Sequence, residues 1–217
     1  MYESPDLEGG YPGNLLVEVT YQLNNFNQLT IDYQAASDKD TALALTNHTY
    51  FNLSGNLKRT IHKHRVLVDS NKFVELDESL IPTGKIRPVE NTPFDFRQER
   101  SLTSGIHSNF KQNLLARSGY DHYFLFDRKK QEAVVVKDYE SGRVMRINTD
   151  QPGMVMYTSN NLTSEHQLAG RRSEKYLGVC FETQAAPASL HHNGFPSILL
   201  KTDEPYSQQT SFTFETN

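Results

Sequence analysis

Leu15-Leu16-Val17-Glu18-Val19-Thr20-Tyr21-Gln22-Leu23, followed by Asn24-Asn25 and then by Gln28–Ala36, is a pair of alternating segments about one turn signal. Alternation with β-branched and aromatic residues suits a pleated strand with one face on a core, and paired asparagines suit a chain reversal. The same pattern recurs outward from this hairpin. Strands are expected near Thr41–Phe51, His64–Asp69, Lys72–Leu76, Tyr123–Phe126, Ala133–Asp138 and Arg143–Thr149, and again near Met154–Thr158, Gly178–Gln184, Ser197–Leu200 and Thr210–Phe214. Ser37-Asp38, Ser54-Gly55, Pro82-Thr83-Gly84, Asp127-Arg128 and Ser141-Gly142 read as turns between them. No long segment carries a clean helical period. The expected fold is therefore all-β, a sandwich or barrel of antiparallel sheets, in a single domain over residues 1–217. Two long loops, roughly Ile86 to Gly119 and roughly Ser159 to Tyr176, are expected to shape a binding site.

Composition narrows the functional classes. The hydrophobic fraction is 36% and the mean hydropathy −0.62, but 12 Phe and 11 Tyr supply enough apolar area to exclude disorder. The net charge of −4 arises from intermixed acids and bases, and basic clusters as short as Arg128-Lys129-Lys130 and Arg171-Arg172 do not form a nucleic-acid surface. No apolar run approaches the roughly 18 residues of a membrane span, and the first residues lack the pattern of a signal peptide. One cysteine, Cys180, excludes an intrachain disulfide and reads as a buried, inert thiol. A soluble cytoplasmic protein without nucleic-acid or membrane partners is expected.

Candidate chemistry centres on Asn47-His48-Thr49-Tyr50-Phe51-Asn52-Leu53-Ser54-Gly55. In an extended strand, Leu43, Leu45, Asn47, Thr49 and Phe51 would face one way and Ala44, Thr46, His48, Tyr50 and Asn52 the other. Downstream, Val179 and Phe181 would turn to one side of a strand and Glu182 and Gln184 to the opposite side. An imidazole and a carboxylate are thus candidates for one cleft, although each also reads as an ordinary strand residue. Asp121, after Gly119-Tyr120, reads either as a turn residue or as a ligand to a polar substrate, with His122 on the face away from it. His62-Lys63-His64 and His191-His192 raise a metal site, but no recognisable four-ligand spacing completes either, and no metal is expected.

Taken in order, several short motifs resemble those of the aldose 1-epimerase, or galactose mutarotase, family. They are Glu8-Gly9-Gly10-Tyr11-Pro12-Gly13-Asn14-Leu15, the His48 segment, Asp77-Glu78-Ser79-Leu80-Ile81-Pro82-Thr83-Gly84, and Thr92-Pro93-Phe94-Asp95-Phe96-Arg97. Gly119-Tyr120-Asp121-His122, Gln151-Pro152-Gly153, Tyr157-Thr158-Ser159-Asn160, Glu182-Thr183-Gln184 and Phe195-Pro196-Ser197 continue the series. The resemblance implies a large antiparallel β-sandwich, the galactose mutarotase-like supersandwich, here lacking its N-terminal third. It also implies interconversion of the α and β anomers of free hexoses such as galactose or glucose, with no metal and no organic cofactor. Carried over by motif, His48 would be the general acid, Glu182 the general base, and Asp121 and Tyr50 sugar-binding residues. Three departures from the family are visible: an arginine and a further histidine that hold the sugar belong to the missing third; Val155 stands where many members carry glutamine; and Pro187-Ala188-Ser189 lacks the usual aspartate. The alternative implied by these departures is a noncatalytic carbohydrate-binding remnant. A broken sandwich further leads us to expect a homodimer or a complementing N-terminal chain.

Overall fold

The structure is a computed structural model that describes residues 1–216. The described strands, numbered in chain order, are β1 (Tyr2–Ser4), β2 (Leu15–Leu23), β3 (Gln28–Ser37), β4 (Thr41–Ala42), β5 (Arg65–Val68), β6 (Lys72–Leu76), β7 (Pro82–Pro88), β8 (Arg100–Ser101) and β9 (Asp121–Leu125). They continue as β10 (Val134–Asp138), β11 (Arg143–Thr149), β12 (Gly153–Tyr157), β13 (Gln167–Leu168), β14 (Arg171–Arg172), β15 (Cys180–Gln184), β16 (Leu199–Leu200) and β17 (Tyr206–Thr216). Two short helices, α1 (Thr103–Ile106) and α2 (Lys111–Leu115), lie between β8 and β9. An eight-stranded sheet runs β1-β2-β3-β17-β11-β10-β5-β8, a five-stranded sheet runs β15-β12-β9-β6-β7, and every pairing is antiparallel.

The core lies between these two sheets. Register carries one apolar row across the larger sheet, Val68, Val134, Ile147, Phe212 and Leu29, and a second through Val66, Val136, Met145 and Phe214. The smaller sheet answers with Phe73, Phe124, Met154, Met156 and Phe181, all buried. Phe73 and Phe94 stack at 4.1 Å with 9° between their planes. Burial decays along the inner face of β2: Val17 is buried, whereas Tyr21 and Leu23 are 61% and 74% exposed. Among the described residues no helix is long and apolar enough to cross a membrane.

The expected Thr41–Phe51 strand is corrected. Only Thr41–Ala42 pairs, with Leu199–Leu200, and the chain from 43 to 50 is irregular until Phe51 bridges Val179. Local side-chain bonds offer the backbone another course there: Asn47 Oδ1 accepts the Thr49 N–H at 3.1 Å, and Asn52 Oδ1 accepts the Ser54 N–H at 2.9 Å. The Pro82-Thr83-Gly84 turn is also corrected, since it opens β7. A register shift between Val74 and Leu76 accommodates it, with Gly84 at φ 83° supplying a backbone that L side chains avoid. The first long loop begins with the end of β7 and holds β8, α1 and α2, and the second carries the β13–β14 hairpin.

Two buried histidines brace this framework. His64 Nε2 accepts the Leu53 N–H at 2.8 Å, and burial pushes its pKa down to about 4. His122 faces away from Asp121, stands edge-on to Phe94 at 4.7 Å, and burial pushes it down to about 3. Its Nδ1 accepts the Asp121 N–H, so Nε2 donates to Gln112 Oε1 at 3.1 Å. The amide of Gln112 in turn holds both backbone groups of Leu76. Because both rings are held neutral, their contribution to stability is complete above an unfolded-state pKa near 6.5 and is lost as pH falls toward 4 and 3. Each such ring steepens the pH dependence by up to about 1.4 kcal/mol per pH unit. His64→Gln, which keeps an acceptor for Leu53, is expected to flatten the slope of urea-unfolding free energy between about pH 6 and 4.5 by that amount.

Candidate active site

The outer face of the smaller sheet carries most of the candidate side chains. Antiparallel register sets Asp121 of β9 opposite Tyr157 of β12, and Tyr157 opposite Cys180 of β15; the next row is Tyr123, Val155 and Glu182. Cross-strand partners share a face, so these six side chains project together, while His122, Met156 and Phe181 turn into the core. Val155, Tyr123, Val74, Phe195 and Ala186 form an apolar cluster beneath this face.

His48 reaches the same place from outside the sheet. The Phe51 N–H donates to Val179 O at 2.9 Å, and the Val179 N–H returns to Phe51 O at 3.0 Å. Just beyond, Asn52 Nδ2 donates to the carbonyls of Arg59 and Leu177, each at 2.7 Å. Anchored in this way, the irregular segment brings His48 Nε2 to 3.2 Å from Glu182 Oε1, and His48 Nδ1 to 3.5 Å from Cys180 Sγ. His48 is half exposed, whereas the Glu182 side chain is only 12% accessible. The ring of Tyr50 lies 5.1 Å from that of His48, and Tyr157 stands edge-on to both at 6.2 Å. Tyr50 is held against the backbone of Gly178, where an added Cβ would come within 2.9 Å of the tyrosine Cβ.

The strand entry at Asp121 is fixed by buried polar groups. Thr158 Oγ1 accepts the Tyr120 N–H at 2.9 Å and donates to Asn160 Oδ1 at 2.6 Å. Asn160 Nδ2 donates to the carbonyls of Ala116 and Tyr120. Thr158 and Asn160 are buried, so these bonds are made without competition from water. The motifs around Gly119 and Tyr157 are thus halves of one brace.

Electrostatics at the site oppose one another. Burial raises the Glu182 pKa, the His48 ring beside it pulls the other way, and the charge of Asp121 adds to the rise; the net direction is up. Asp121 is also raised by burial against a lowering from His48. Burial holds Tyr50 up at about 12 and pushes the Cys180 thiol well above its usual range. Desolvation outweighs the ion pair because the pair faces solvent on the His48 side only.

All four sequence-derived residues, His48, Glu182, Asp121 and Tyr50, therefore gather on one side of the smaller sheet. Tyr157 and Cys180 belong there too and were passed over; Cys180 lies two residues before Glu182 and shares its strand face, a signal present in the sequence. His62-Lys63-His64 and His191-His192 lie apart from it. His62 Nδ1 meets the Thr60 hydroxyl, with the His107 ring 5.6 Å away, and His192 Nε2 donates to Pro82 O; among the described residues neither belongs to a group of three metal-competent side chains. A pocket of about 440 Å³ between Asp69, Arg128 and Gln209 is lined by neither His48 nor Glu182, whereas a largely apolar groove of about 370 Å³ is lined in part by Tyr50.

An antiparallel β-sandwich presenting a half-exposed imidazole beside a buried carboxylate on one sheet face defines a class of fold and site, and comparison with known proteins gives that class a family. The family model described as Aldose 1-epimerase matches residues 1–213. Galactose mutarotase of Sus scrofa is 39% identical over 216 residues, which cover 97% of this chain and 60% of that protein. Aldose 1-epimerase of Haemophilus influenzae is 32% identical, over 98% of this chain and 63% of its own length. The crystal structure of galactose 1-epimerase from Lactobacillus acidophilus superposes with a TM-score of 0.88 at 28% identity, covering 100% of this chain and 61% of that one. The chain belongs to the aldose 1-epimerase family. It spans about 60% of the length of the galactose mutarotases that it matches.

Removing the buried charge should relieve the fold. Glu182→Gln is expected to hold or raise the denaturant midpoint at pH 8; a clear fall would show that pairing with His48 outweighs burial.

Proposed function

We propose that this chain carries the catalytic centre of an aldose 1-epimerase acting on free hexoses such as galactose and glucose. The observation that supports the reading most strongly is the 3.2 Å approach of His48 Nε2 to Glu182 Oε1, with the imidazole half exposed to solvent. Anomer exchange opens a hemiacetal, turns the C1–C2 bond and closes the ring on the other face of the aldehyde. Two coupled proton transfers are needed, one from the C1 hydroxyl and one to the ring oxygen. Both oxygens are bonded to C1, so an acid and a base in near contact reach them together.

Glu182 takes the C1 hydroxyl proton while protonated His48 gives its proton to the ring oxygen; the C1–O5 bond breaks and the C1 carbonyl forms. On closure His48 recovers the proton from the C5 hydroxyl and Glu182 returns one to the new C1 oxygen, leaving the enzyme unchanged. The raised pKa of Glu182 suits it to this exchange, because a base matched to working pH both accepts and releases a proton readily. Asp121 accepts hydrogen bonds from sugar hydroxyls. Tyr50 and Tyr157 offer ring faces to the C–H side of the sugar.

Polarimetry of freshly dissolved α-D-galactose and α-D-glucose tests the reading directly. The protein is expected to accelerate the approach to anomeric equilibrium, and Glu182→Gln to lose about 10²–10⁴-fold of that rate. An unchanged rate in Glu182→Gln would remove Glu182 from the mechanism. Sugar binding without acceleration by the folded wild-type chain would favour the carbohydrate-binding remnant. With Glu182 required ionised and its pKa raised, the acid limb of kcat/KM is expected above the ordinary glutamate range near 4.3, with activity falling as pH drops through it.

A further inference from the structure

Among the described residues, one group of three metal-competent side chains gathers its donor atoms in one place: His48, Cys180 and Glu182, all within 4.8 Å of one another. We propose that this trio is a binding site for a borderline divalent cation of the zinc class, and that the bound ion blocks the acid–base pair. Bond lengths of about 2.0–2.3 Å to nitrogen, oxygen and sulfur place the ligands of a tetrahedral zinc about 3.3–3.7 Å apart. The contacts already present, 3.2 Å from His48 Nε2 to Glu182 Oε1 and 3.5 Å from His48 Nδ1 to Cys180 Sγ, are of that size.

One imidazole nitrogen serves one ion, so the His48 ring must turn to face both partners. The ring is half exposed on an irregular segment beside Tyr50 and Tyr157, and it is the ring that must move, since Cys180 and Glu182 are fixed on β15. Three protein donors leave the fourth position open to the cleft, where water or a sugar hydroxyl completes the shell. Thiolate, imidazole and carboxylate together favour zinc over magnesium or calcium, which prefer oxygen donors alone. Binding expels the Cys180 proton to solvent.

Cys180 is the only cysteine, which makes the test specific. Cobalt(II) is titrated into the full chain at pH 7.5 and thiolate-to-cobalt absorption is followed in the near ultraviolet. The expected result is a band that saturates at one ion per chain and is bleached by zinc. It should be absent in Cys180→Ser and need more than about tenfold more metal in His48→Asn, with folding of each variant checked by near-ultraviolet circular dichroism. No thiolate band from the folded protein would overturn the proposal. So would zinc affinity unchanged in Cys180→Ser, which would place the ion on other histidines such as His191 and His192.

The blocking arm rests on the acid–base reading and separates from the site itself. Zinc that binds through Cys180 and stops anomer exchange supports both. Zinc that binds there while exchange continues overturns the blocking and excludes the pair as the catalytic machinery, with the metal site intact.

Discussion

Two backbone hydrogen bonds, between Phe51 and Val179, hold the site together. They form the single point at which an irregular stretch becomes a neighbour of the smaller sheet. From that point the chain places a histidine three residues upstream over a cysteine and a glutamate one and three residues downstream. Asn52 reinforces the join through the Arg59 and Leu177 carbonyls, and Leu53 extends it into the core through His64. The His48–Glu182 contact is thus built by backbone pairing, and the side chains need little freedom to find each other.

The same arrangement sets a conflict between folding and chemistry. A carboxylate beside Val155 and Tyr123 is poorly solvated, and its partner is half in water. Buried charges of this kind cost stability, and the molecule carries the cost at the His48–Glu182 pair. Three other buried polar side chains follow the opposite rule: Gln112, Thr158 and Asn160 bond carbonyls, amides and hydroxyls close around them.

How much of this was legible depends on which forces act locally. Alternation gave β2, β3, β5, β6, β10 and β11 closely, because each has one face in the core and the period of two survives in its residues. It failed at residues 43–50, where the apparent period is real but no neighbouring strand completes a ladder and asparagine side chains capture the backbone. The long loops hid α1, α2, β8 and the β13–β14 hairpin, elements too short to leave a period. The structure brings His48 and Glu182 together although the strand expected to carry the first is irregular; motif order, not period, singles them out. Cys180 is the buried thiol its strand suggested, but its place beside His48 was not legible, since only the register with Tyr157 and the reach of His48 give it that neighbourhood.

β17 fills the middle of the larger sheet, between β3 and β11. Its pairing with β3 joins positions as far apart in sequence as Gln28 and Thr213, which are 185 residues apart. Until that strand inserts, the β1–β2–β3 unit and the β11–β10–β5–β8 unit have facing edges with no ladder between them. Closing so long a loop is entropically expensive and rewarded late, so sheet completion belongs at the slow end of folding, with two exposed edges open to mispairing meanwhile. The strand that unites the sandwich is therefore also the step at which an unfinished molecule is most exposed to joining another.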